Sequence, residues 1–318
     1  MNDMAGLAGF GNVETVVSID PEGGVTISAP AIRKQRDAGK GFNENLALRP
    51  GIDLPSLANE LIDGIDMDIR SRAGFIEQYT SGIDLLGLET KEDKNAKTSQ
   101  VGHPLLLEAV VRAQSAAGAE LMPAAGPCKV ETLGGSTAQL DELAAAFQAD
   151  MNAYLTSGAP EYYPDTDRGL FGLFYSGNMF KKVYQHPLRR RPVSEVVGIE
   201  DLIVSEDATD LDTALRVTHR SEMSDVMVRR MQKFADWREV DLGTASASMD
   251  PTKVAQARIS GMSGIMARPQ DVPHEIYETT VDVDLGDYGV SLARVPDLPL
   301  SFIVTLDKQT QAVLAVRR

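Results

Sequence analysis

Two carboxylate pairs are the most chemically suggestive residues in this chain. Asp165 and Asp167 stand two apart, and so do Asp282 and Asp284. Pairs of this kind can hold a divalent metal in a metal-dependent hydrolase or nuclease. The first pair also suits a helix start, where acids meet the positive end of the dipole. The second also suits the wet face of an edge strand. Gly261-Met262-Ser263-Gly264 is not a nucleophile elbow, because its second glycine falls one residue early. Gly134-Gly135-Ser136-Thr137 lacks the lysine of a phosphate-binding loop and reads as a helix cap. His103, His186, His219 and His274 are scattered, with no metal-ligand spacing to one another or to Cys128. Cys128 reads as a buried filler. These residues assign no catalytic, cofactor or metal role, so the chain reads as a structural protein and not an enzyme.

Lys181, Lys182, His186, Arg189, Arg190 and Arg191 form a basic cluster in a chain of net charge −15. A hairpin would gather them at one tip. There they could meet DNA phosphate or an acidic neighbouring subunit. The other reading is a solvated turn whose charge protects an edge strand.

The elements that would position these groups follow from periodicity. Asp165 or Thr166 is a cap candidate for an apolar helix through Tyr175. Leu170, Phe171, Leu173, Phe174 and Tyr175 cover nearly its whole circumference, which predicts burial. Gly169 and Gly172 would admit a close neighbour, and Gly177-Asn178 would stop the helix. Phe180, Val183 and Tyr184 then enter a sheet. Residues 53–88 read as a helix starting at Asp53 or Ser56, weakened at Gly64 and Gly74 and ended at Gly87. Residues 103–122 read as a largely enclosed helix, ended by Pro123 and followed by a strand at 128–132. Residues 137–156 form an amphipathic helix carrying Leu140, Leu143, Ala144, Phe147 and Met151, with Ser136 and Gln139 as a capping box.

Outside that centre, 16–28 reads as a hairpin turning at Pro21–Gly24, within an arm spanning 1–45. Lys91–Lys97 is a polar loop. Short strands at 202–205 and 213–219 flank an acidic loop, and Ser224 starts a helix carried by Met227, Met231 and Phe234. Residues 243–275 read as a linker or long loop. Tyr277–Leu285, Leu300–Leu306 and Gln311–Val316 read as terminal strands within 276–318. The expectation is an α+β chain, with buried helices packed on antiparallel sheet and hairpins across 46–242.

Composition narrows the function classes. The acidic balance opposes general adhesion to DNA, which needs many Lys and Arg to neutralise phosphates. A single cysteine excludes an intrachain disulfide and fits a reducing compartment. Met1-Asn2-Asp3 is not a basic signal-peptide start. No run reaches the ~18 apolar residues of a membrane span, so no membrane partner is expected.

Four blocks carry a family resemblance: SRAGFIEQYTSGIDLLGL (71–88), GHPLLLEAVVRAQSAAGAELMPAAGP (102–127), GLFGLFYSGNMFKKVY (169–184) and PLSFIVTLDKQTQAVLAVRR (299–318). Together they resemble portal proteins of tailed bacteriophages of the short-tailed type, in the family's order across most of 43–318. The resemblance implies the portal wing, with stem, clip and crown absent. The chain would then be a truncated frame, half of a split gene or a piece of an interrupted one. It implies a ring of about twelve copies at a capsid vertex. Implied partners are other portal subunits, capsid and scaffolding protein, and double-stranded DNA in the channel. Terminase and tail adaptors would dock through the missing downstream part. The implied location is the virion, and the host cytoplasm during assembly.

Overall fold

The computed structural model describes residues 16–19, 25–28, 44–87, 103–132, 134–135, 137–246, 250–259, 268, 271–289 and 299–318. The turn at Pro21–Gly24, the loop Lys91–Lys97, Ser136 and the Gly261–Gly264 motif lie outside them. The fold is mixed, with helices and antiparallel sheets. Helices are α1 (Leu54–Ser71), α2 (Ala73–Leu86), α3 (Leu105–Leu121), α4 (Ala138–Ala153), α5 (Tyr162–Ser176), α6 (Asp225–Phe234) and α7 (Pro251–Ile259). Strands β1 (Val16–Ile19) and β2 (Val25–Ser28) pair as the expected hairpin. Strands β3 (Phe180–His186) and β4 (Arg191–Val197) form a second two-stranded ribbon. A five-stranded sheet runs β5 (Leu202–Ile203), β6 (Arg216–Met223), β7 (His274–Val283), β8 (Leu300–Asp307) and β9 (Val313–Arg317), in sequence order.

That sheet is the foundation, and period-two alternation gives it two apolar faces. On one face Tyr277, Val281, Phe302, Val304, Leu306, Val313 and Val316 meet Leu57, Ala58, Leu61 and Ile65 of α1. On the other, Ile276, Leu314 and Ala315 meet Val228 of α6 and Trp237. A bulge lets both Leu314 and Ala315 serve the α6 side, because Leu306 pairs with Val313 while Thr305 pairs with Ala315. Each large side chain buried here contributes about 1.5–3 kcal/mol. Thr218 and Thr279 are buried opposite each other and share a 3.0 Å hydroxyl contact, so neither loses its hydrogen bond.

Several boundaries differ from the sequence reading. Residues 243–275 are not simply a linker, since 251–259 form α7 and β7 begins at His274. Nor do they separate two units: β6 pairs with β7 across them, and the main core joins α1 to the last strands. The break after α1 falls at Arg72, not at Gly64 or Gly74. Arg72 is buried and donates to the carbonyls of Leu202 and Ile199, so its backbone follows its side chain. Residues 128–132 form no strand. Their backbone bonds go to α4 side chains instead: Cys128 N donates to Asn152 (2.9 Å) and Val130 N to Gln148 (3.0 Å). Cys128 itself is half-buried.

Candidate functional site

The basic ribbon comes first. The helix before it, α5, starts at Tyr162, so Asp165 and Thr166 are internal and not caps. Thr166 donates back to Tyr162 O, and Asp165 accepts from Val196 N at 2.6 Å, tying α5 to β4. A Cβ on Gly169 would meet Val196 at 2.7 Å and Met179 at 2.6 Å, so the close approach expected there is real. Nothing crowds Gly172. Gly177 stops the helix at φ +82°. The ribbon shares no backbone ladder with the five-stranded sheet, and Val183 is 72% exposed.

The six basic residues do not share one tip. Lys181 and Lys182 lie opposite Val196 and Glu195, while His186 and Arg191 pair at the far end. That is about 13–17 Å along a strand. Successive residues also point to opposite faces. Lys181 turns inward to donate to Thr166 (2.6 Å) and lies over the Tyr162 ring. Burial lowers its pKa. Lys182 pairs with Glu278 at 2.7 Å. Arg191 forks onto Glu161, at 2.5 and 2.7 Å, and this hydrogen bond holds Glu161 down at about 2. Arg189 approaches the same carboxylate at 3.6 Å. Arg190, at φ +53°, has no carboxylate partner among the described residues. Three of the cluster's five Lys and Arg side chains thus already contact a carboxylate of this chain.

The carboxylate pairs do not converge either. Two residues apart on a helix is about 200° of rotation, so Asp165 faces β4 while Asp167 points to solvent. Asp282 is exposed on β7, a central strand and not an edge. Asp284 accepts from Gly286 N at 2.8 Å and caps a short 3-10 turn. Among the described residues no group of three His, Cys, Asp or Glu is placed to hold a metal. His274 is buried beside Asp307, with Nδ1 and Oδ1 at 3.6 Å.

Two clefts flank the junction of α2, α7 and the ribbon. The larger, about 750 Å³, runs between α5 and the residues after β4. Its walls are tied in pairs: Tyr79 donates to Glu200 at 3.2 Å, and Tyr175 donates to Tyr79 O. Burial raises Tyr175 to about 12. Burial, then the neighbouring Lys182 ammonium, lowers His219. The smaller cleft, about 410 Å³, lies against Arg72 and Arg220. Arg220 is buried and bound to both Asp201 (3.0 Å) and Asp250, which locks the start of α7 to β6.

The unexpected feature is the helical side. The helix at 103–122 was expected to be largely enclosed and is not, and the apolar stripe of the amphipathic helix at 137–156 is open as well. No residue of α4 is buried, and Phe147 is 58% and Leu143 60% exposed. On α3 only Val110 is buried, while Leu105, Leu106, Val111 and Leu121 are exposed. α5 is half-covered, with Leu170 buried, Phe171 intermediate and Phe174 exposed. The cause is topological. Both faces of the sheet are taken by α1 and α6, so among the described residues α3 packs mainly on α5 with a small contact to α2, and α4 lies against the segment 128–130. The sequence pattern identified the stripe on α4, but periodicity cannot say whether a partner covers it. Apolar side chains left open together on one helix face, as Leu140, Leu143 and Phe147 are, mark an interaction face. No helix among the described residues is long and apolar enough to cross a membrane. No family model matches the chain, and no curated protein matches it.

Proposed function

We propose that this chain is the wing part of a portal subunit of a tailed bacteriophage of the short-tailed type, acting by assembly and not by catalysis. The observation that carries an assembly role is the open apolar side of α3 and α4, where Leu105, Leu143 and Phe147 are each more than half exposed. The four blocks of family resemblance supply the kind of assembly. They fall on α2, α3, the α5–β3 unit and the β8–β9 hairpin. In this reading the copies form a ring at a capsid vertex in the virion, built in the host cytoplasm. The ring nucleates the head with scaffolding protein and passes double-stranded DNA. The net charge of −15 suits a channel wall, since like charge keeps DNA moving without adhesion. Terminase and tail adaptors would be met by a downstream portion carrying stem and clip.

Native mass spectrometry and electron microscopy of the product, with and without a downstream partner chain, test this. Rings with a central channel are expected. A permanent monomer beside a complete partner would sink the reading.

A further inference from the structure

The outward face of α6 is open. While Val228 points into the core, Val226, Arg229, Arg230, Lys233 and Phe234 fall within about 140° on the other side by helical rotation. Phe234 is 72% exposed, and Val226 is exposed as well. Arg229 is paired with Asp225, but Arg230 and Lys233 have no carboxylate partner among the described residues. The complementary surface is the loop between β5 and β6. Its Leu215, 77% exposed, is the most open large apolar side chain among the described residues. Before it stand Glu206, Asp207, Asp210 and Asp212, none with a Lys or Arg partner among the described residues. Asp207 accepts from Ser205 and Asp210 from Thr213. These uncharged donors hold both carboxyls below their ordinary pKa and leave their charge in place. Glu206 N donates to Ser71 at 3.2 Å, which fixes the root of the loop at the end of α1.

We propose that this acidic loop of one copy docks on the outward face of α6 of the next, with Leu215 against Phe234 and Asp212 on Arg230. The proposal rests on the ring reading above and names a contact that builds the ring. Arg230 and Phe234 are one helical turn apart, about 6 Å along the axis. Asp212 and Leu215 are three positions apart in a bent segment, and their reach of at most about 10 Å covers that distance, so both pairs close together. Within one copy the two surfaces are kept apart. β6 runs about 23 Å from Arg216, next to the loop, to Met223, next to α6. The loop also leaves the β5 edge of the sheet, while α6 packs toward Leu314 on β9, the opposite edge. A patch that meets a different patch repeats head to tail, as a ring requires. Two-fold pairing is opposed on both sides, since loop on loop sets acid against acid and α6 on α6 sets base against base. Duplex DNA is the other acidic partner for α6. Its phosphates would satisfy the cations but leave Phe234 and Val226 against a polar backbone, whereas a leucine-bearing acidic loop satisfies both parts of the face.

The test uses the full chain in a Cys128→Ser background. Leu215→Cys with Phe234→Cys, mildly oxidised, is expected to give a ladder of disulfide-linked multimers, while either alone gives at most dimers. Separately, Asp212→Lys or Arg230→Glu is expected to weaken self-association about tenfold, and the double exchange to restore it. Both positions are exposed, so circular dichroism of each variant should match the parent. Rings that persist with no loop–α6 cross-link and no effect of charge reversal would overturn this contact and leave the ring reading standing. Dimers formed as readily by Phe234→Cys alone would assign a two-fold α6 pair and overturn it. If Arg230→Glu abolishes binding of a DNA duplex and leaves self-association unchanged, the face belongs to DNA and the contact is overturned. A chain that stays monomeric at every concentration, with its downstream partner present, would overturn both the contact and the ring.

Discussion

Arg216 lays its guanidinium across both carboxylate oxygens of Asp68, each at 3.0 Å, and so fastens β6 to the last turns of α1. Asp68 is buried and Arg216 only partly exposed. A Cβ on Gly64 would sit 2.7 Å from the guanidinium carbon, so the helix has a glycine where the arginine passes. Asp68→Ala should cost about 2–3 kcal/mol in urea unfolding, less than a fully buried pair because the arginine keeps some water. Gly64→Ala should destabilise the parent but stabilise an Arg216→Met variant by up to about 1 kcal/mol, the helix propensity gain. A Gly64→Ala effect of the same sign in both backgrounds would refute the clamp.

Asn45 holds the sheet's last strand. Its amide donates to Leu314 O (3.0 Å) and Asp236 O (2.6 Å), and its carbonyl accepts from Val316 N (2.9 Å) and Ala47 N (3.0 Å). It is buried. Asn45→Ala leaves several buried backbone groups unsatisfied, each worth about 1–3 kcal/mol. We expect a drop of about 3 kcal/mol or more in the same assay, and faster amide exchange at Val316. Unchanged exchange there would contradict this role.

The open stripe on α4 makes a prediction of the opposite kind. Leu140→Ser, Leu143→Ser and Phe147→Ser together should cost a single copy only about 2–4 kcal/mol, because each side chain is about half exposed and no fully buried residue is removed. Self-association, followed by sedimentation, should fall sharply. Collapse of the fold on this triple change would mean that the stripe is covered within one copy after all.

Acid should weaken the fold in two separate windows. Burial lowers the pKa of His219, with Lys182 adding repulsion while Glu278, Glu195 and Asp201 oppose it. His186 is lowered in the same way, by burial and then by Arg189. The folded state therefore binds fewer protons than the unfolded one, whose histidines titrate at about 6.5. Their contribution is complete above about pH 6.5 and is lost as pH falls below it. Glu161, held at about 2 by Arg191, gives way only as pH falls from the ordinary carboxylate range toward 2. Denaturant midpoints at about pH 7.5, 5.5 and 3 should separate the windows. His219→Gln should flatten the upper one without touching the lower; a slope that does not change would remove His219 from the account.

Local signals were the readable ones. Asp53 as a cap, Gly177 as a stop, the β3–β4 turn and the β8–β9 hairpin are each decided by residues a few positions apart, and each is present. The overall mixture of helix and antiparallel sheet was legible for the same reason. What escaped was long-range pairing. Asp68 and Arg216 are 148 positions apart, and nothing in either neighbourhood names the other. Asn45 sat in a stretch read as the end of a loose arm. The basic cluster was visible as composition, but the engagement of Lys182 by Glu278 and of Arg191 by Glu161 depended on which elements lay beside it. The degree of cover over α3 and α4 was misjudged because an apolar circumference records a need for neighbours, not their source.

The stitch between Asn45 and Val316 joins residues 271 positions apart. Leu46 and Ala47 of the turn at 46–48 are buried against the last strand, so the turn cannot be fastened until nearly all of this sequence has been synthesised. During that interval the α1 face and the outer edge of β9 have no final closure. Asn45 can lock only once β9 is in place, and a chain halted before residue 313 would lack Val313 and Val316 from the cluster that covers Leu57, Leu61 and Ile65.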